Sequence, residues 1–161
     1  MPPVPTGDSR SGGRLVVAEL TREELIKKIQ EKRRTFQNVD LSGLDLRGID
    51  LQRLDFTGAS FVGARLSGNR LSEGIFTRAD FREADLSNCL LEETRLDHAR
   101  MVKTLLVEAN LEGARLGGAS LRGADLSNAR CARADFRGAD LTRARLINTD
   151  LRQAQLEGAN L

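Results

Sequence analysis

The sequence contains no tryptophan, no tyrosine and one histidine. An aromatic cage or a base-stacking platform has only six phenylalanines to draw on. No apolar run reaches the roughly 18 residues of a membrane-crossing helix, so membrane insertion is excluded. The opening MPPVPTGDSRSGGR has no apolar core behind its charges, and the LVVA that follows is too short to supply one. No secretory signal is visible, and a cytoplasmic location is expected. Charge of one sign is also missing. The 25 basic and 23 acidic residues leave a net charge of +2, divided as +3 over residues 1–35 and −1 over 36–161. A balance so close to neutral predicts no strong attraction to nucleic acid or to a membrane surface. At 161 residues, one domain is the starting expectation.

What is present is a period of five. Every fifth residue from Leu41 to Leu161 is apolar: these 25 positions hold 18 Leu, 5 Phe, Met101 and Cys131. No insertion or deletion shifts the register. The residue two before each of them is Ala in 15 of 25 cases, and the other three columns are mostly Asp, Arg, Ser, Glu, Gly and Asn. A helix repeats at 3.6 residues and a strand at 2.0, so neither fits. A chain that turns a corner every five residues does. The large residue and the small one two before it then share the inner face of a short strand. The column two after the large residue holds ten Gly, Gly43, Gly58, Gly113 and Gly138 among them, which suits a tight turn. Four such sides close a square coil of 20 residues. Phe56 precedes Phe76 by 20, as Phe61 precedes Phe81, and rings stacked in successive coils are expected there.

Segments such as Ala79-Asp80-Phe81-Arg82-Glu83, Ala84-Asp85-Leu86-Ser87-Asn88 and Ala124-Asp125-Leu126-Ser127-Asn128 resemble the motif of the pentapeptide-repeat family, and the resemblance runs over residues 39–161. It implies an all-β fold, a right-handed quadrilateral β-helix of about six coils, and no single function.

A β-helix exposes an apolar cross-section at each end. Thr21-Arg22-Glu23-Glu24 is a capping box with Thr21 as N-cap, and Leu20 and Leu25 stand where a hydrophobic staple would be. Leu25, Ile26 and Ile29 form one apolar face. Residues 22–34 are expected to form a helix laid over the first coil, within a capping segment spanning 21–35. Val39, Leu44, Ile49 and Leu54, larger than the Ala used later, fit a wider plug beneath it. Residues 1–20 read as a mostly disordered tail, its first 14 rich in Pro, Gly and Ser, and 36–161 as the β-helix. The sequence stops at Leu161, itself a core position. Leu146, Leu151, Leu156 and Leu161 are therefore expected to meet a second copy in a C-terminal homodimer, or to be covered by a partner or by a further C-terminal segment.

No residue set reads as catalytic, cofactor-binding or metal-binding. His98 falls in the turn column without a nucleophile or an orienting carboxylate, and a solvated surface role is expected. Cys89 and Cys131 fall on one side, two coils and about 9–10 Å apart. A disulfide needs Cα atoms within about 7 Å, so free buried thiols are expected. Asp40, Asp45, Asp50 and Asp55, then Asp80, Asp85, Asp125, Asp135, Asp140 and Asp150, share one column with Arg65, Arg70, Arg95, Arg115, Arg130 and Arg145. Cation binding is one reading of these carboxylates; the favoured one is turn formation by accepting local N–H bonds. The main departure from pattern is Val102, Leu105 and Val107, apolar where Ser, Asp and Arg are usual. They read as a small exposed patch around one corner and a candidate partner site; the competing reading is that β-branched residues simply suit a strand surface.

The expected function is a non-enzymatic protein-interaction or structural scaffold with a protein partner. The short Thr-Arg-Glu-Glu helix followed by Asp-Leu-Ser-Gly-Leu-Asp-Leu is similar to pentapeptide modules that accompany bacterial type VI secretion proteins. The alternative is a DNA mimic that binds a type II topoisomerase, gyrase, as the quinolone-resistance pentapeptide proteins do. That resemblance implies a strongly acidic dimeric rod, whereas here arginines interrupt the columns that would carry the acid.

Overall fold

The computed structural model describes residues 18–161. It is a β-helix solenoid preceded by one helix. Parallel backbone bridges join residues one 20-residue turn apart, from Thr35–Asp55 to Asp140–Asn160, so four pentads complete a turn. Within a pentad the core residue's N–H donates to a carbonyl of the next turn, as from Leu86 to Leu105 at 2.8 Å. At the corner the N–H of the following small residue returns to the core residue's own carbonyl, as from Ala59 to Phe56 at 3.0 Å.

The two inward columns form one continuous core. Leu86, Leu111 and Phe136 are buried, with Ala in the small column interleaved between the large side chains. The phenylalanine ladders form as the 20-residue spacing predicts: Phe56 stacks on Phe76 at 5.5 Å and Phe61 on Phe81 at 4.8 Å between ring centroids. Phe36 extends the first ladder, stacking on Phe56 at 5.2 Å. Gly74 makes room for it, since a Cβ there would lie 2.6 Å from the Phe76 ring.

Polar residues in the small column bond to backbone carbonyls, Thr94 to Leu91 in its own turn at 2.6 Å and the others to the preceding turn. Thr104 donates to the Phe81 carbonyl at 2.7 Å and Thr149 to that of Leu126 at 2.8 Å. Asn69 donates to the Leu46 carbonyl and accepts from the Gly48 N–H, both at 2.8 Å. A buried polar group is tolerated when so satisfied.

The first described element is β1 (Ala18–Glu19), which pairs in parallel with β2 (Val39–Asp40). The tail read over residues 1–20 otherwise lies outside the described residues. The helix α1 (Arg22–Gln30) starts at the capping box, with the Glu24 N–H bonded to the Thr21 hydroxyl and the Thr21 N–H to the Glu24 carboxylate. Leu25 is buried and Leu20, Ile26 and Ile29 pack against the core. The helix is shorter than the 22–34 read from the sequence. Lys32 turns left-handed at φ 64, and the Arg33 and Lys32 N–H groups close back onto the Lys28 and Ile29 carbonyls. This is a Schellman ending with Lys where Gly is usual.

Candidate interaction surface

The outer surface is set by three columns. The Asp column does what turn formers do: in all ten cases from Asp40 to Asp150 a carboxylate oxygen accepts the N–H two residues on, at 2.9–3.2 Å. Arginine adds a second layer. Arg47, Arg137 and Arg152 each form a two-point ion pair with the aspartate two residues before. The side-chain hydrogen bonds from these arginines hold the carboxyls of Asp45, Asp135 and Asp150 below the usual range, Asp150 at about 2. Hydroxyl bonds from Ser127 and Thr142 do the same for Asp125 and Asp140.

These shifts fix a sign. Carboxyls depressed in the folded state stabilise it above their unfolded value near 3.9, and that contribution is lost as pH falls through the folded values. The melting temperature is therefore expected to hold from pH 7 to 5 and to fall between pH 4 and 2. A melting temperature level down to pH 2 would show that the ladder contributes nothing.

The corner column is left-handed at all 25 positions from Asn38 to Gly158, ten of them Gly and fifteen not. His98 lies there, exposed, with φ 59. Cys89 and Cys131 are buried free thiols, and burial pushes both up to about 12, so neither is a nucleophile at neutral pH. Among the described residues no group of three His, Cys, Asp or Glu is arranged to hold a metal ion, and no helix is long and apolar enough to cross a membrane.

Against this polar background the apolar departures stand out. Leu105 is 44 % exposed, stacked between Asp85 and Asp125 in its column, with Val102 and Val107 half-buried to either side. Leu90, 39 % exposed between Arg70 and Asn110 in the adjoining column, was not singled out by the sequence reading. The signal was there: it is an apolar residue in the Asp/Arg column. Ile147 is exposed too, two turns beyond Val107 in the same column. At the far end Leu146, Leu151 and Leu156 are half-buried and Leu161 is 73 % exposed.

The pentapeptide-repeat family model matches residues 36–72, 75–107, 104–143 and 124–161, in 8 copies. The chain belongs to the pentapeptide-repeat family. It is similar to the crystal structure of a pentapeptide repeat protein from the Arabidopsis thaliana thylakoid lumen, with 34% identity, a TM-score of 0.54, and coverage of 67% of this chain and 69% of that one. It is also similar to HetL, a pentapeptide repeat protein involved in heterocyst differentiation regulation from the cyanobacterium Nostoc sp. strain PCC 7120. That match has 23% identity, a TM-score of 0.41, and coverage of 87% and 96%. A third is full-length QnrB1, a plasmid-mediated fluoroquinolone resistance protein, at 21% identity, TM-score 0.36, and 89% of each chain. No curated protein sequence matches. The family makes the solenoid a right-handed β-helix and indicates no catalytic activity.

Proposed function

We propose that the protein is a non-enzymatic interaction scaffold: a four-sided rod of roughly six coils, closed at its N-terminal end by α1. The observation that carries this reading is the apolar corner formed by Val102, Leu105 and Val107, which lie together on a mainly polar surface where Leu90 and Ile147 are further exposed apolar positions. Exposed apolar side chains grouped on a soluble rod mark a contact for another protein. A photoreactive benzoylphenylalanine placed at Leu105 is expected to give one discrete adduct, absent when the same group replaces Arg95. Identical adducts at both positions, or none, would refute the reading.

The mixed surface counts against DNA mimicry. The carboxylates that such a surface needs are held by arginines, as Asp45 is by Arg47 at 2.5 Å and Asp135 by Arg137 at 2.6 Å. An accessory place in a type VI-like secretion system and a cytoplasmic location belong to the same proposal. The secretion role is supported by the helix and first-coil arrangement of residues 21–46.

A second copy is the partner proposed for Leu146, Leu151, Leu156 and Leu161. Leu146, Leu151 and Leu156 are already half-buried, so covering the exposed remainder contributes only part of the about 1.5–3 kcal/mol that full burial of each leucine gives, and association entropy offsets some of it. Light scattering on the full chain should give a dimer mass, and a Leu156→Glu/Leu161→Glu variant a monomer. A monomeric wild type at high concentration would contradict this.

A further inference from the structure

The N-terminal edge of the first coil is finished differently on successive sides. On one, β1 pairs with Val39–Asp40, and the Leu20 N–H donates to the Asp40 carbonyl at 3.3 Å. On the next, the Arg22 guanidinium stands in for a strand, donating to the Asp45 and Arg47 carbonyls at 2.5 and 3.0 Å. On the side centred on Leu51 the edge is open. Among the described residues nothing donates to the Asp50 or Gln52 carbonyl, and the Asp50 N–H meets no acceptor. The other edge of this strand is paired, the Leu51 and Arg53 N–H groups donating to Arg70 and Ser72 at 3.0 and 3.2 Å, so the strand is already held in an extended form.

Two further features lie along that edge. A cleft of about 230 Å³ separates α1 from the coil, lined by Ile26, Ile29 and Ile49. It adjoins a second hollow where Arg34, Arg53 and Arg70 gather around Asp50 and Leu54. Arg53 is paired with Glu73 at 2.8 Å, whereas Arg34 and Arg70 enter no ion pair among the described residues. The Asp50 carboxylate is occupied by Gln52, through its N–H and its amide, both at 3.1 Å.

We propose that this edge binds an extended acidic segment of a partner protein by parallel strand addition. In the ladder repeated through the solenoid, the added strand would accept the Asp50 N–H with one carbonyl. It would donate two N–H groups, to the Asp50 and Gln52 carbonyls. Strand alternation then turns its central side chain inward, toward Ile29 and Ile49, and its two neighbours outward, toward Arg34 and Arg70. The site therefore selects an acidic–apolar–acidic triplet, the main chain supplying affinity and the side chains specificity. Guanidinium groups without a protein carboxylate supply the charge complementarity. This surface is separate from the Leu105 corner, and the proposal does not depend on it.

The probe is a fluorescein-labelled peptide, Ser-Thr-Glu-Val-Glu-Thr-Ser, titrated with the full chain and followed by anisotropy. Saturable binding is expected, at least tenfold weaker for an Arg34→Glu/Arg70→Glu variant. N-methylation of the peptide's valine amide, which removes the donor to the Asp50 carbonyl, should weaken binding to the unaltered protein at least tenfold. Leu105→Asp should leave binding unchanged. On binding, the Asp50 amide should gain protection from hydrogen exchange. The proposal is overturned if the peptide does not saturate, if a Lys-Val-Lys version binds as well, or if N-methylation has no effect. It is equally overturned if the Asp50 amide is already protected in the free chain, because this protein's own residues or a second copy would then fill the edge.

Discussion

Replacing Leu111 with Asp is expected to remove cooperative folding from the middle of the rod. Leu111 is fully buried, and its N–H donates to the Arg130 carbonyl at 2.7 Å, so its side chain cannot swing outward without breaking the ladder. Losing the leucine alone costs about 2–5 kcal/mol. A carboxylate placed there, with no partner in an apolar core, adds several kcal/mol more or stays protonated at comparable cost. Single domains are stable by only about 5–15 kcal/mol, so most of the margin disappears. Because repeats contact mainly their neighbours, the damage should be local at first. Hydrogen exchange should show protection lost around Leu91, Leu111 and Cys131 and retained longest around the stacked phenylalanines. The outward substitution Leu105→Asp is the control and should leave the melting temperature within a few degrees of wild type. A Leu111→Asp variant that melts with wild type would mean the inward column is misassigned.

Phe61→Ala is expected to be the most damaging single truncation in the N-terminal half. The Phe61 ring lies 5.2 Å from Phe56, 6.0 Å from Phe76 and 4.8 Å from Phe81, between centroids. A buried Phe→Ala change costs about 3–5 kcal/mol from transfer and cavity. Each aromatic pair adds about 0.5–1.5 kcal/mol. Phe136 is equally buried but has no ring partner among the described residues, so Phe136→Ala should cost less by about 1.5–4.5 kcal/mol. Chemical denaturation of the two variants side by side measures the difference. Equal losses would show that the aromatic ladder contributes only its buried area.

Much of this architecture is legible in the residues because one period governs it. Positions two apart in a pentad must face the same way, so the inward columns and the 20-residue phenylalanine ladders follow from spacing alone. Thr21 and Glu24 announce the helix start because both halves of the capping box are side chains. Its end is hidden: the Schellman turn is made by backbone groups, and Lys32 occupies the left-handed position where glycine would have been a signal. The corner column shows the same limit. Ten glycines pointed to it, yet fifteen other residues, Arg53 and Glu93 among them, adopt the same conformation. What marks the column in sequence is the absence of Val, Ile and Thr, whose branched Cβ disfavours positive φ.

The outer surface is less legible, because a polar column tolerates many residue types. Val102, Leu105 and Val107 were visible as departures, and Leu90 by the same criterion. The open edge at Asp50 could not be read at all. It arises because β1 and Arg22 finish the two preceding sides of the coil and leave this one bare, a matter of chain path rather than of composition.

The central claim, that the Leu105 corner serves a partner and not the fold, is tested most directly by one variant, Val102→Thr/Leu105→Asp/Val107→Thr, scored for melting temperature and for retention of the protein crosslinked at position 105. The expected result is an unchanged melting temperature, within a few degrees, and at least a tenfold loss of that protein. A fall of ten degrees or more in melting temperature with the partner still retained would make the corner a structural feature and contradict the claim.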